Sequence, residues 1–150
     1  MPNLGFWNLD RNVESPEVAA FAHENDLDVL VLAENGNSLV SLLKALNHNR
    51  ERLYFTDTGR SDRLTIFTRF KTDPKRCPLR DSSGVSIRHY QLPVGESFTV
   101  VAVHLSSKLW ESTEGQALST PRVAGYIREA EQRVGHLRTI VIGDFNMNPF

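Results

Sequence analysis

Asn8, Glu34, His104, Asp144 and Asn146 are the residues of this chain best suited to chemistry, because each stands where a short apolar run gives way to polar residues. The segments are Trp7-Asn8-Leu9-Asp10, Ala33-Glu34-Asn35, Val103-His104-Leu105-Ser106-Ser107 and Gly143-Asp144-Phe145-Asn146. A strand that ends in this way holds a polar side chain on a rigid element and can present it to a crevice shared with its neighbours. Together the residues offer carboxylates, carboxamides and one imidazole. Hard oxygen donors suit Mg²⁺ or Mn²⁺. Zinc is a poorer match, since Cys77 is the only cysteine and no two histidines have ligand spacing. The sequence has no glycine-rich phosphate loop ending in Lys-Ser or Lys-Thr, and no Gly-x-Ser-x-Gly elbow. Each residue also has an ordinary structural reading. Asn8 could cap a turn, Glu34 could be the acidic end of a strand, His104 a hydrogen-bonded core histidine, and Asp144 with Asn146 an Asx turn. Their joint occurrence points to a metal-assisted site.

The elements that must position these groups follow from the periodicity. Leu4 to Leu9 is a short apolar stretch and predicts a strand. Ser15-Pro16-Glu17 predicts an N-cap, a proline at the first helical position and an early acid, with Val18, Ala19, Phe21 and Ala22 as the apolar face of the helix. The continuous run Asp28 to Ala33 predicts a strand buried on both faces. Asn35-Gly36-Asn37-Ser38 supplies a turn and a cap. A helix from Leu39 to about Asn47 follows, with Leu39, Leu42, Leu43 and Leu46 at helical spacing. The period then changes, and strands are expected at Arg52 to Asp57, Leu64 to Phe70, Val85 to Leu92 and Phe98 to Leu105. Thr120-Pro121 should open a third helix reaching about Val134, and Thr139 to Ile142 should form a strand, also buried on both faces, that delivers Asp144. The order implies an α+β fold, a mixed sheet with helices on one face.

The 150 residues carry a net charge of −1, too little for a strongly basic nucleic-acid clamp. The charge is uneven, however: Arg50 to Arg88 holds 10 Lys/Arg against 5 Asp/Glu. Such a strip could lie along a phosphate backbone or could simply be a solvated face. No run approaches the roughly 20 apolar residues that span a membrane. The lone Cys77 and an N-terminus without a basic start or apolar run point to a reducing cytoplasm.

The ordered series of motifs resembles the endonuclease/exonuclease/phosphatase family, which includes pancreatic deoxyribonuclease, the apurinic-site endonucleases and neutral sphingomyelinases. Trp7-Asn8 matches the family's opening strand end, Glu34 its metal-binding glutamate, and His104-Leu105 its His-Leu element. Pro121-Arg122 fits a helix with an early arginine. Gly143 to Asn146, with Pro149 close behind, matches Gly-Asp-Phe-Asn. The segment Gly59 to Arg69 is similar to a strand that usually reads Gly-x-Ala-Ile-Leu-Ser-Arg. The resemblance covers nearly the whole chain and implies a Mg²⁺-dependent phosphodiesterase, with Mn²⁺ as a substitute. By this resemblance Glu34 binds the metal with Asn8 beside it, and Asp10 belongs to the outer shell. Asp144 orients or deprotonates the attacking water, Asn146 holds that water or a phosphate oxygen, and His104 meets the phosphate or assists the leaving group.

The family fold is a four-layer α/β/β/α sandwich with a later Asp and a terminal Ser-Asp-His element. This sequence reaches Pro149-Phe150, so the resemblance assigns residues 1–150 to about the first half of such a domain, truncated after Gly-Asp-Phe-Asn. Three expectations follow. The chain alone should be inactive. An apolar sheet face should lie exposed until a C-terminal half or a partner chain covers it. Nucleic acid is the favoured substrate, on the strength of the basic strip and the lack of a membrane segment. The competing readings are a non-catalytic binding module and a lipid or small-molecule phosphodiesterase or phosphatase.

Overall fold

The computed structural model describes residues 2–56, 61–70, 79–92, 95–105 and 113–146, the first seven residues of the last stretch by backbone only. The elements run β1 Leu4–Asn8, α1 Ser15–Glu24, β2 Val29–Ala33, α2 Leu39–Asn47, β3 Phe55–Thr56, β4 Leu64–Thr68, β5 Arg80–Ser82, β6 Val85–Gln91, β7 Ser97–His104, α3 Thr113–Val134 and β8 Thr139–Asp144. They form two four-stranded sheets, ordered β1-β2-β4-β3 and β5-β6-β7-β8. In the first, β1 and β2 run parallel across α1, and β4 and β3 are antiparallel. In the second, β5, β6 and β7 are an antiparallel meander, and β8 returns parallel to β7 after α3. Each sheet therefore contains one parallel pair whose two C-terminal ends point the same way.

Three apolar clusters define four layers, as expected for the α/β/β/α sandwich. Leu30 and Leu32 of β2 face the helices, packing with Val18 and Ala22 of α1 and Leu42 and Leu46 of α2. Val29, Val31 and Ala33, on the opposite face of β2, pack with Tyr90, Phe98, Val100 and Ala102 of the second sheet. On the outer face of the second sheet, Val85, Ile87, Val101 and Val103 meet Val123 and Ala130 of α3. Fully burying one such aliphatic side chain contributes about 1.5–3 kcal/mol. The continuous apolar run of β2 is explained by this double burial.

The expectation of an exposed apolar sheet face is overturned. The chain builds its own second sheet from residues 80–144, and that sheet covers β2. The second sheet was expected mostly from a C-terminal half, because β5 is only three residues long and carries Arg80, Asp81 and Ser82, with no apolar signal. The expected double burial of Thr139 to Ile142 also fails. The strand β8 lies at the edge of its sheet and α3 sits over β6 and β7, so Val141 stays 40% exposed.

Two helix starts differ from expectation. Glu14 is the N-cap of α1, its N–H donating to Glu17 Oε2 at 3.2 Å, while the Ser15 hydroxyl donates instead to Asn37 Oδ1 at 3.0 Å. The helix α3 begins at Thr113 and runs through Pro121, tolerating one missing backbone hydrogen bond within an otherwise helix-favouring segment. Arg122 thus lies exposed in the helix interior, away from its start. Ser38 caps α2 as expected, accepting from Ser41 N at 3.1 Å. Cys77, Gly59, Ser106, Ser107 and Pro149 lie outside the described residues.

Charged groups at the start of β2 are densely paired. Arg69 donates to Asp26 at 2.5 Å, and Arg52 donates to Asp28 at 2.6 Å. The Arg69 guanidinium also lies over the Tyr54 ring, 4.8 Å from its centre, and the Tyr54 hydroxyl donates to Leu27 O at 2.5 Å. The Arg69 hydrogen bond holds the Asp26 carboxyl below its ordinary range. Burial, with Arg50 and Arg69 nearby, pushes His23 down, and burial pushes Tyr54 up. Of the basic strip Arg50 to Arg88, Arg60, Lys71, Lys75 and Arg76 lie outside the described residues. Among its described members, Arg52, Arg69, Arg80 and Arg88 each lie against a carboxylate.

Candidate functional site

The two parallel pairs end together. Asn8 is in register with Ala33, one residue before Glu34, and His104 is in register with Asp144. The strands β1 and β8 lie against one another where the sheets meet. The result is a polar cleft of about 620 Å³ lined by Asn8, Arg11, Glu34, Asn35, Gly36, Asp62, Arg63, His104, Leu105 and Asn146.

The central contact joins the sheets. His104 Nε2 lies 3.4 Å from Glu34 Oε1, the imidazole buried and the carboxylate side chain 34% exposed. His104 Nδ1 is buried without a partner among the described groups. Glu34 has φ 49°, a left-handed conformation outside the strand that precedes it. Its N–H donates to Arg63 O at 3.3 Å and its carbonyl accepts from Arg11 N at 3.1 Å. The backbone strain is thus held by hydrogen bonds on both sides, a pattern that clusters at functional sites.

Asn8 lines the cleft, and its Oδ1 accepts from Asp10 N at 3.2 Å. Asn146 sits opposite on the second sheet, with φ 48° and its Nδ2 donating to Leu105 O at 2.7 Å. Asp144 is beside His104 at the same end of the sheet. It does not line the cleft; its Oδ1 accepts from Asn146 N at 2.8 Å, forming the Asx turn that was its ordinary reading. Gly143, at φ 148°, lets β8 approach β7 so closely that a Cβ there would run into the Val103 backbone. Asp10 is turned away. It is exposed at φ 46°, its Oδ2 accepting from Asn12 Nδ2 at 3.4 Å, and it is absent from the cleft lining. Of the six residues singled out, the structure therefore brings Asn8, Glu34, His104 and Asn146 to one cleft, keeps Asp144 adjacent and leaves Asp10 outside.

Arg11, Asn35, Asp62 and Arg63 are cleft residues that strand-end reasoning missed. Arg11 and Asn35 follow strand ends by a few residues and were within reach of that reasoning. Asp62 and Arg63 precede β4, and only the antiparallel pairing of β4 with β2 brings them to the C-terminal end of β2.

The donor set fits a hydrated hard cation. Glu34 offers a partly exposed carboxylate, and Asn8, Asp62 and Asn146 bring further side-chain oxygens to the same cleft. Mg²⁺ keeps several waters and needs only one or two carboxylates. Among the described residues, no three His, Cys, Asp or Glu side chains gather into a group that could hold a metal ion. No helix among them is long and apolar enough to cross a membrane.

No family model and no curated protein matches this sequence. Solved structures do. The endonuclease domain of TRAS1, a telomere-specific non-LTR retrotransposon, matches with a TM-score of 0.60 at 17% identity, covering 99% of this chain and 63% of that one. An endonuclease/exonuclease/phosphatase family protein from Leptotrichia buccalis matches with a TM-score of 0.60 at 14% identity, covering 99% and 67%. D. rerio TDP2 complexed with a single-strand DNA product matches with a TM-score of 0.58 at 19% identity, covering 98% and 61%. The chain has the α+β sandwich fold of endonuclease/exonuclease/phosphatase structures, and it spans between 61% and 67% of the length of these three.

Proposed function

We propose that this chain carries the metal side of a Mg²⁺-dependent phosphodiesterase acting on nucleic acid, with Mn²⁺ able to substitute. The observation that carries the reading is the Glu34–His104 contact in a polar cleft built from the ends of two parallel strand pairs. The fold shared with TRAS1 endonuclease and with a TDP2 structure holding single-strand DNA product supports the same substrate class.

Glu34 would hold the metal, with Asn8 beside it. Bound there, the cation supplies charge neutralisation on the phosphoryl oxygens. His104, buried against Glu34, would donate a hydrogen bond to a phosphate oxygen. Asn146, which lines the cleft and is held by Leu105 and Asp144, would hold a phosphate oxygen or the attacking water. Asp144 is the proposed base. The Asn146 N–H orients its carboxylate, and reaching the water requires the carboxylate to turn towards the cleft. Asp10 is not assigned a metal role, given its outward turn.

The test is hydrolysis of a labelled single-stranded oligonucleotide by the protein at its natural length, with Mg²⁺, Mn²⁺ or EDTA. Metal-dependent cleavage that Asp144→Asn reduces by about 10²-fold or more supports the reading. Cleavage that persists in EDTA, or Asp144→Asn at full rate, contradicts the metal or the base assignment respectively. A non-catalytic binding module is the second reading, favoured by Asp144 standing outside the cleft lining. Oligonucleotide binding without product under any metal would select it.

A further inference from the structure

The turn after β1 combines two features that are costly apart and make sense together. Asp10 and Arg11 have φ 46° and 60°, and Asn12 N donates to Leu9 O at 3.0 Å, the pattern of a type I′ turn. Such turns favour Asn-Gly or Gly-Gly, since each L-residue held at positive φ costs on the order of 1–3 kcal/mol. This turn instead carries an aspartate and a long cationic side chain. It is pinned on several sides. Asn8 Oδ1 accepts from Asp10 N, Ala33 O accepts from Leu9 N at 3.0 Å, and Glu34 O accepts from Arg11 N at 3.1 Å. Gly36 closes over it, and a Cβ at Gly36 would lie 3.0 Å from Arg11 O. The backbone of Glu34 and the backbone of Arg11 are thus one hydrogen-bonded unit.

The side chain so positioned lines the cleft. Arg52, Arg69, Arg80 and Arg88 each meet a carboxylate, whereas the Arg11 guanidinium has no acid partner among the described groups. A cation exposed at the rim and rigidly linked to the proposed metal-binding residue is suited to a phosphate group, which a guanidinium binds in bidentate fashion.

Resting on the phosphodiesterase reading, we propose that Arg11 is a substrate-specificity residue. It takes a phosphate flanking the one that is cut, so the site favours a polymeric phosphodiester over one with a single phosphate. The strained turn serves to hold Arg11 and Glu34 at a fixed spacing.

Arg11→Gly separates this role from a structural one, because glycine relaxes the turn while removing the guanidinium. Binding of a fluorescein-labelled single-stranded oligonucleotide in EDTA is followed by anisotropy over a range of salt, beside a thermal melt. The expected result is a thermal midpoint unchanged or raised and an affinity about tenfold weaker, with the log–log salt slope smaller by about 1. Arg11→Lys should restore the slope, because it keeps the charge, while recovering only part of the affinity. Unchanged affinity and slope in Arg11→Gly would overturn the inference and leave the phosphodiesterase reading standing. Absence of oligonucleotide binding by the unaltered protein would overturn the nucleic-acid reading and this inference together.

Discussion

The two ends of β2 treat charge in opposite ways. At its start, Asp26 and Asp28 are matched by Arg52 and Arg69, and Tyr54 ties Arg69 and the Leu27 carbonyl into the same group. At its far end, Glu34 has a single long contact to His104, and Arg11 has no acid partner among the described groups. Both ends contain a residue at positive φ, Asp26 and Glu34. Backbone strain alone therefore does not mark a functional end. The difference lies at Glu34, Arg11 and His104 Nδ1, which have few partners among the described groups and stand at a polar cleft. Saturated pairing, in contrast, stabilises the fold.

Four substitutions or conditions sharpen this contrast. Glu34→Gln should have the largest effect. Metal-dependent hydrolysis by the natural-length protein should fall at least about 10²-fold, because the proposed metal loses its carboxylate. Initial rates titrated against Mg²⁺ check this, and a rate near that of the parent would show that the unsaturated end is not the working one. Tyr54→Phe should act at the other end only. It removes a buried hydrogen bond to Leu27 O and should lower stability by about 0.5–1.5 kcal/mol in urea denaturation, with hydrolysis unaffected.

The third prediction concerns acid. His23 is held below its ordinary pKa of 6.5, so the folded state favours its neutral form. The stability it contributes is fully present above about pH 6.5 and is lost as pH falls from there towards the lowered folded value. Asp26 is held below 3.8, so its contribution persists above that value and is lost on further acidification. Melting temperatures of the parent and of His23→Gln should converge as pH falls below 6.5. A constant gap between pH 7 and 5 would remove His23 from the account. The smallest effect is expected for Arg52→Ala. Its side chain is largely exposed, so the loss should stay within about 1 kcal/mol by the same denaturation assay.

Where an apolar run ended in a polar residue, the sequence located the cleft well. Asn8, Glu34, His104 and Asn146 meet because parallel strands bring their C-terminal ends to one edge, a property of strand direction that the helices between them imply. What escaped the reading depended on non-local pairing or on conformation. Asp62 and Arg63 reach the cleft only through the pairing of β4 with β2. Asp10 lies outside the cleft, in the tight turn after β1, where its carboxylate accepts from Asn12. That the chain supplies a four-stranded second sheet itself was hidden because β5 is short and polar, and because the apolar strands β4, β6 and β7 look alike whichever sheet they join. The burial of β8 was overestimated from an apolar run that fits an edge strand equally well.

Glu34, with Asp10, Arg11 and Asn146, also sets a hazard for anyone improving this protein by selection. All four hold positive φ around the cleft, where glycine would be unstrained. A library sorted for heat resistance alone should therefore enrich glycine at these four positions, as at Asp26 and Asn49. Each gain at the four would remove a carboxylate, a guanidinium or an amide from the cleft or its supporting turns. The hardiest survivors would keep the sandwich and lose the chemistry, so any such screen must couple survival to turnover from its first round.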